Sequence, residues 1–454
     1  MEYSSDQSVY RPAPRENRKL DHLPGDYGMP VFGRTFKALR DPLNNIRSLY
    51  DTYGPVCRTS VFFQKSVDLF GPEANEFVLR DRERNFSSRY GWDKALGRLF
   101  PRGLMLRDFD DHRFHRRIMQ EAFRKEALAG YVDMMNPEID SGIAGWADEG
   151  ELHFYPAIKK LTLDMAARVF MGLKLGPEAE KLNQAFMDAV QASVSVIRYP
   201  LPGTQMWRGV RGRETLCRWF SSMIEQKRAS DDGDFFARIC RAQTEDGEKF
   251  SDDEIIDHMN FLMMAAHDTT TSASTTLIYY LAKHPEWQER LRDEARTLGK
   301  PFAEHGDMDH FTETGWAFRE AMRIFPPVVV VPRRTVRECE FAGHTIPANT
   351  NVAIFPGFVH RMPEWWQHPE KFDPARFSPE RAEDKQHPFL YVPFGGGPHT
   401  CIGMHFAELQ VKAIMHQFLL RYRVSVARDY YMPVQALPIP KPSDGLPLNI
   451  ERIN

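Results

Sequence analysis

Cysteine is scarce in this chain: five residues, at positions 57, 217, 240, 339 and 401, an odd number with no C-x-x-C pair. That excludes a disulfide framework and makes a reducing cytoplasm the expected compartment. Charge of one sign is lacking as well. With 59 Lys+Arg against 62 Asp+Glu the net charge is -3, without the basic excess that nucleic acid requires. Long apolar runs are missing, since the longest candidates, Phe261–Ala266 and Val328–Val331, fall far short of the roughly 18 residues of a membrane span. The N-terminal MEYSSDQSVYRPAPRENRKL has no apolar h-region, so neither signal peptide nor anchor is expected. Residues 1–20 read as a flexible polar tail and 21–454 as a single domain. Repeats and Gly/Ser-rich linkers do not occur. What is present, 42% hydrophobic and 12% aromatic residues in 454, excludes a disordered chain and supplies a sizeable core.

Breakers concentrate near both ends of the ordered region, at Pro24-Gly25, Gly28, Pro30 and Gly33, and again from Pro326 to Pro398. Between roughly 110 and 325 the spacing is helical. Short strands are predicted at Val56–Val61, Lys65–Phe70, Phe341–Ala342 with Thr345–Ile346, and Val352–Phe355. Without regular βαβ alternation, the class is mainly α with small β-sheets. Ser251 and Glu254 form an S-x-x-E capping box that starts a helix running to Lys283, where His284-Pro285 ends it. Its centre, Ala265-Ala266-His267-Asp268-Thr269-Thr270-Thr271-Ser272, is rich in hydroxyls that compete for backbone bonds. Such a conflict marks either function or a polar packing seam.

The sharpest segment is Phe394-Gly395-Gly396-Gly397-Pro398-His399-Thr400-Cys401-Ile402-Gly403, followed by a predicted helix over Met404–Arg421. Its glycines let the backbone approach a flat, bulky group. A cysteine before a helix N-terminus is favoured as thiolate, and one thiolate suits heme iron. A lone buried cysteine in a glycine turn is the blander alternative.

These ten residues match F-G-x-G-x-[RH]-x-C-x-G, and the chain resembles the cytochromes P450 over nearly its whole length. Glu320-Ala321-Met322-Arg323 resembles the family's E-x-x-R, and Asp373-Pro374-Ala375-Arg376-Phe377 its P-x-R-F region. Ala265–Thr270 resembles [AG]-G-x-[DE]-T-[TS], and Leu23-Pro24-Gly25 with Gly28, Pro30 and Gly33 the proline-rich segment. The resemblance implies a heme b lying between the long central helix and the Cys-loop helix, with Cys401 as metal ligand. Phe394, Gly395 and Ala265 would flank it. His112, Arg116, Arg333 and His399 would hold its propionates; Arg334 is adjacent to Arg333 and alternates face on a strand, so one of the two should point away. Thr269 and Asp268 would handle protons during oxygen activation, while Glu320, Arg323 and Arg376 would form a structural cluster. Ala266 stands where the family usually has Gly, and His399 where it more often has Arg. His267, adjacent to the acid, is given no catalytic role.

A pocket including Trp92, Leu99, Phe100, Val194, Val196, Phe261, Ala265, Ala266, Val329 and Val330 predicts a lipophilic substrate, by branch likeness a sterol or steroid, a terpenoid or a fatty-acid-like molecule. Arg198 and Arg208 flank its expected access region. With no flavin domain in the chain, the resemblance implies O2 and electrons from a ferredoxin with its NAD(P)H-dependent reductase, met by a basic patch that includes Arg117, Lys125 and Lys412. The implied activity is hydroxylation or epoxidation. The rivals are a peroxide-dependent or isomerising heme-thiolate enzyme, and a heme- or lipophile-binding protein without turnover.

Overall fold

The computed structural model describes residues 13–148, 150–174, 176–193, 195 and 197–453. The central helix spans Asp252–Lys283 and carries both halves of the predicted capping box, with Asp252, Asp253 and Glu254 in its first turn favouring its positive end. Pro285 opens the next helix, Pro285–Thr297, because a proline cannot continue the ladder behind it. Around the central helix pack Phe154–Ala166, Gln205–Ala229, Thr312–Ile324 and the Cys-loop helix Met404–Arg421, whose bounds are those read from the sequence. One large apolar core joins these helices. Helix Phe109–Glu121 buries His112, His115, Ile118 and Met119 on the face turned inwards.

The main sheet has five strands in the order Val56–Val61, Gln64–Leu69, Asn351–Ile354, Val331–Thr335 and Phe86–Ser87, with the second and third parallel. A three-stranded sheet joins Glu151–His153, Pro447–Arg452 and Tyr422–Ser425. The predicted strand Phe341–Ala342 shifts to Cys339–Phe341, paired with His344–Ile346. Ala342 and Gly343 both take positive φ (48° and 77°), so they form the two-residue turn between the strands. The expected polar tail is anchored well before residue 20. Leu20 is fully buried in the sheet's core, Asn17 N–H donates to Asn349 O at 2.9 Å, and Glu16 pairs with Arg334 (3.1 Å) and with Lys94. Two leucines, at 20 and 23, give this polar stretch an apolar plug that its composition conceals. Residues 1–12 of the expected tail lie outside the described residues.

Candidate active site

A cavity of about 2500 Å³ lies between the central helix and the Cys loop. The central helix contributes Phe261, Ala265, Ala266, Asp268 and Thr269 to its wall, and the loop contributes Phe394, Gly395, His399 and Cys401. His112 and Arg116 enter from Phe109–Glu121, Arg333 from its strand, and Val329 and Val330 from the turn before that strand. Trp92 enters from helix Ser88–Leu96. Every predicted cofactor, proton-handling and pocket residue among these faces the one space. Leu99 and Phe100 do not: both are buried in the helical core, because the chain turns inwards beyond Gly97. Val194 and Val196 lie outside the described residues.

The loop's shape follows from its glycines. Cys401 N–H donates to Phe394 O at 2.9 Å, closing the loop on itself. Gly397 has φ +62°, and a Cβ there would stand 2.0 Å from the Leu79 carbonyl oxygen, so no larger residue fits. Arg116 donates from Nη1 to Thr400 O at 2.6 Å and ties the loop to its own helix. Cys401 is accessible from the cavity although it lies deep within the protein. That burial pushes its thiol up, against the Gly403 backbone N–H and the Arg116 charge that pull it down.

The rim beside Cys401 is cationic. Arg333 is 6% exposed, and burial pushes its guanidinium down to about 10. It donates to its neighbour's carbonyl, Pro332 O, at 2.9 Å, and among the described residues no carboxylate pairs with it; Asp108 and Asp81 act on it only through space. The rings of His112 and His399 lie 3.8 Å apart. Burial, with Arg116 and Arg333 nearby, holds His112 at about 4. A buried guanidinium without a paired carboxylate is costly, so this donor set fits an anionic group, as the two carboxylates of heme would be. Arg334 points to the opposite side, to Asn351 Oδ1 (3.0 Å) and Glu16 (3.1 Å), which settles the alternation between the two arginines.

At the acid–hydroxyl pair, Thr269 Oγ1 donates to Ala265 O at 2.8 Å, and Thr270 and Thr271 bond back in the same way to Ala266 O and His267 O. The helix stays α-helical throughout, so Ala266 fits without local widening. Asp268 Oδ1 lies 3.1 Å from His267 Nδ1 and 3.4 Å from Lys159 Nζ. Burial would raise this carboxyl, but His267 and Lys159 outweigh it and hold it at about 2. The adjacency of His267 and Asp268 is thus a contact, although their backbone directions diverge. Lys159, on Phe154–Ala166, carries no motif that would have revealed it.

The remaining predicted cluster lies away from the cavity. Glu320, Arg323 and Arg376 are fully buried. Arg323 grips Glu320 with two bonds (2.7 and 3.0 Å), and Arg376 Nε reaches Glu320 Oε1 at 3.0 Å. Glu383, 2.6 Å from Arg376, is a fourth member that sequence reading missed. Arg323 also donates to the carbonyls of His360, Pro369 and Lys371. Arg117 and Lys125 are exposed as expected of a basic patch. Lys412 is buried instead, pairing with Glu408 at 2.9 Å and donating to Met308 O at 3.0 Å, because its helix packs that face inwards.

The sequence profile of the Cytochrome P450 family matches residues 23–436. The chain belongs to the cytochrome P450 family. Cytochrome P450 136 of Mycobacterium tuberculosis is 41% identical over 437 residues, covering 94% of this chain and 88% of the relative. Taxane 10-beta-hydroxylase of Taxus cuspidata is 27% identical, covering 94% and 89%. Among solved structures, the retinoic acid-bound cyanobacterial CYP120A1 superposes with a TM-score of 0.85 at 27% identity, covering 95% of this chain and 99% of that one. As a P450 the chain is a heme-thiolate monooxygenase that takes O2, a lipophilic substrate and electrons from a redox partner. Among the described residues, no helix is long and apolar enough to cross a membrane.

Proposed function

We propose that this P450 hydroxylates or epoxidises a sterol-, terpenoid- or fatty-acid-like molecule in the cytoplasm, fed by a ferredoxin and its NAD(P)H-dependent reductase, with Cys401 as the axial ligand. The observation that carries it is a single cavity in which the Cys401 thiol and the Thr269–Asp268 pair share one space beside a cationic rim. Heme supplies the oxygen-activating chemistry when bound. His112, Arg116, Arg333 and His399 would hold its carboxylates, and Phe394 and Gly395 shape the loop that carries Cys401. Thr269 Oγ1, with its hydrogen committed to Ala265 O, keeps lone pairs free to accept from a cavity water and passes a proton by rotating. Asp268 carries protons at Oδ1 when the Lys159 contact opens, and the Lys159 side chain, partly exposed, leads that route to solvent. Trp92, Phe261, Ala265, Ala266, Val329 and Val330 leave the substrate to be positioned by shape. The names of relatives support this class, since one hydroxylates a taxane and another is solved with retinoic acid. The test is the absorption spectrum of the reduced protein under carbon monoxide. A strongly red-shifted Soret band that disappears in Cys401→Ser is expected. A band at the position of a neutral ligand would sink the thiolate assignment.

A further inference from the structure

On the side of the main sheet the cavity wall carries a buried acid, Asp68, 4% exposed. Strand alternation puts it there. Val67 and Leu69 of Gln64–Leu69 fill the sheet's apolar core, so Ser66 and Asp68 stand on the opposite face, and both line the cavity. The carboxyl is poorly satisfied for so buried a group. Ser66 Oγ donates to Oδ1 at 3.0 Å and Arg34 acts through space, but among the described residues no hydrogen bond engages Oδ2. Burial pushes the carboxyl up to about 7, against the pull of Ser66 and Arg34.

Asn45 joins the same wall from helix Pro42–Tyr53 and is 8% exposed. Its Oδ1 accepts from Arg34 Nε at 3.0 Å. A guanidinium only donates, so that bond fixes the amide's orientation and makes Nδ2 the free end. Among the described residues nothing accepts from Nδ2. Asn351 shows the contrast, for it also lines the cavity, yet it accepts from Arg334 Nε (3.0 Å) and donates to Lys65 O (3.2 Å). Arg34 itself is paired to Asp26 at 2.9 Å. Asp68 Oδ2 and Asn45 Nδ2 are thus an uncommitted acceptor and an uncommitted donor gathered round one guanidinium.

An alcohol matches that pair, since a hydroxyl donates and accepts at once. An ammonium would use only the acceptor and would meet the charge of Arg34, while a carboxylate would meet Asp68. The position suits one end of a long molecule. Asp68 lies opposite Ala353, and Ala353 opposite Pro332, so two strand spacings, about 10 Å, separate Asp68 from the neighbour of Arg333.

We propose that Asp68 and Asn45 form a hydroxyl-recognising subsite, so that the lipophilic substrate carries an alcohol at the end remote from the carbon that is oxidised. This rests on the heme-thiolate reading, which defines the other end of the cavity. Heme-loaded protein is titrated with 1-alkylimidazoles of eight to sixteen carbons, whose ring ligates the iron, and with the same chains ending in a hydroxyl or an amine. Each titration is followed by the Soret shift. At the chain length that spans the cavity, the alcohol should bind at least tenfold tighter than the plain alkyl chain, and tighter than the amine. Asp68→Leu and Asn45→Leu should each bring the alcohol to within twofold of the alkyl chain, whose own shift reports that fold and heme are intact. Should Asp68→Leu fail to fold, Asn45→Leu decides. Alcohol and alkyl chains that bind alike at every length, an amine that binds tighter than the alcohol, or a preference that the variants keep overturns the subsite alone. Absence of a Soret shift with every probe overturns the heme reading and the proposal with it.

Discussion

At the scale of single residues, Asp268 shows how far contacts decide chemistry. Its folded carboxyl lies at about 2, below the ordinary 3.8, so its ionised form stabilises the fold above pH 4 and that contribution is lost as pH falls towards 2. The stability difference between wild type and Asp268→Asn should therefore shrink by about 1 kcal/mol between pH 6 and pH 3, read as urea midpoints. Lys159→Met removes the ammonium charge beside the carboxylate and should raise the Asp268 pKa, moving the acid limb of the turnover profile upwards. Thr269→Ala should keep heme and substrate binding while diverting reducing equivalents to hydrogen peroxide; unchanged coupling would remove Thr269 from proton delivery. Arg333 is a buried cation with no paired carboxylate among the described residues, so Arg333→Leu should weaken heme retention by tenfold or more, about 1.4 kcal/mol at least, in transfer to apomyoglobin. Cys401, Thr269 and Asp268 were legible because a motif names them. Lys159 was not, since its relation to Asp268 exists only after two distant helices pack.

Elements were read best where local chemistry fixes their ends. The central helix declares itself by a capping box and a proline, and the Cys-loop helix by the glycines before it. The 341–342 strand was misplaced because periodicity cannot see which residues adopt positive φ. The Glu320–Arg323 pair was legible as an i, i+3 spacing on one face, but Glu383 was hidden, being contributed by a short turn that comes into reach only when 374–386 folds back. This cluster is fully buried, so removing Glu320 leaves Arg323 without a carboxylate and Arg376 with Glu383 alone. Glu320→Ala should cost on the order of 3–5 kcal/mol and lower the heme content of the purified protein, measured by thermal denaturation and by the Soret-to-protein absorbance ratio. Arg376→Lys should also lower stability, since a single-point charge cannot bond Glu320 and Glu383 together as the guanidinium does.

For the whole molecule, composition set the class and little more. A net charge of -3 concealed the cationic rim that Arg116 and Arg333 form beside Cys401, because an average cannot report where charge lies. The anchoring of residues 13–20 was equally invisible, since it depends on Leu20 finding the core of a sheet built from strands hundreds of residues away. Electron delivery belongs to this scale too. With a ferredoxin and its reductase, NADPH or NADH consumption should become substrate-dependent and fall as salt rises, since charged faces steer the encounter. Consumption that is insensitive to the ferredoxin would remove that partner. Because Lys412 is buried, Lys412→Ala should disturb stability rather than this salt dependence.

The seating of Gly397 against Leu79 also bears on biosynthesis. A loop near the end of the chain is fitted onto a helix near its beginning, so the Cys401 thiol takes its place only after nearly nine-tenths of the protein has been made and its ends have met. Contacts so distant in sequence form slowly. Translation therefore nears its end before the cavity beside Cys401 acquires the wall that the Cys loop contributes. Under heme limitation the nascent protein should accumulate as a protease-sensitive form cut first around the Cys loop, while the helical body from 110 to 325 resists.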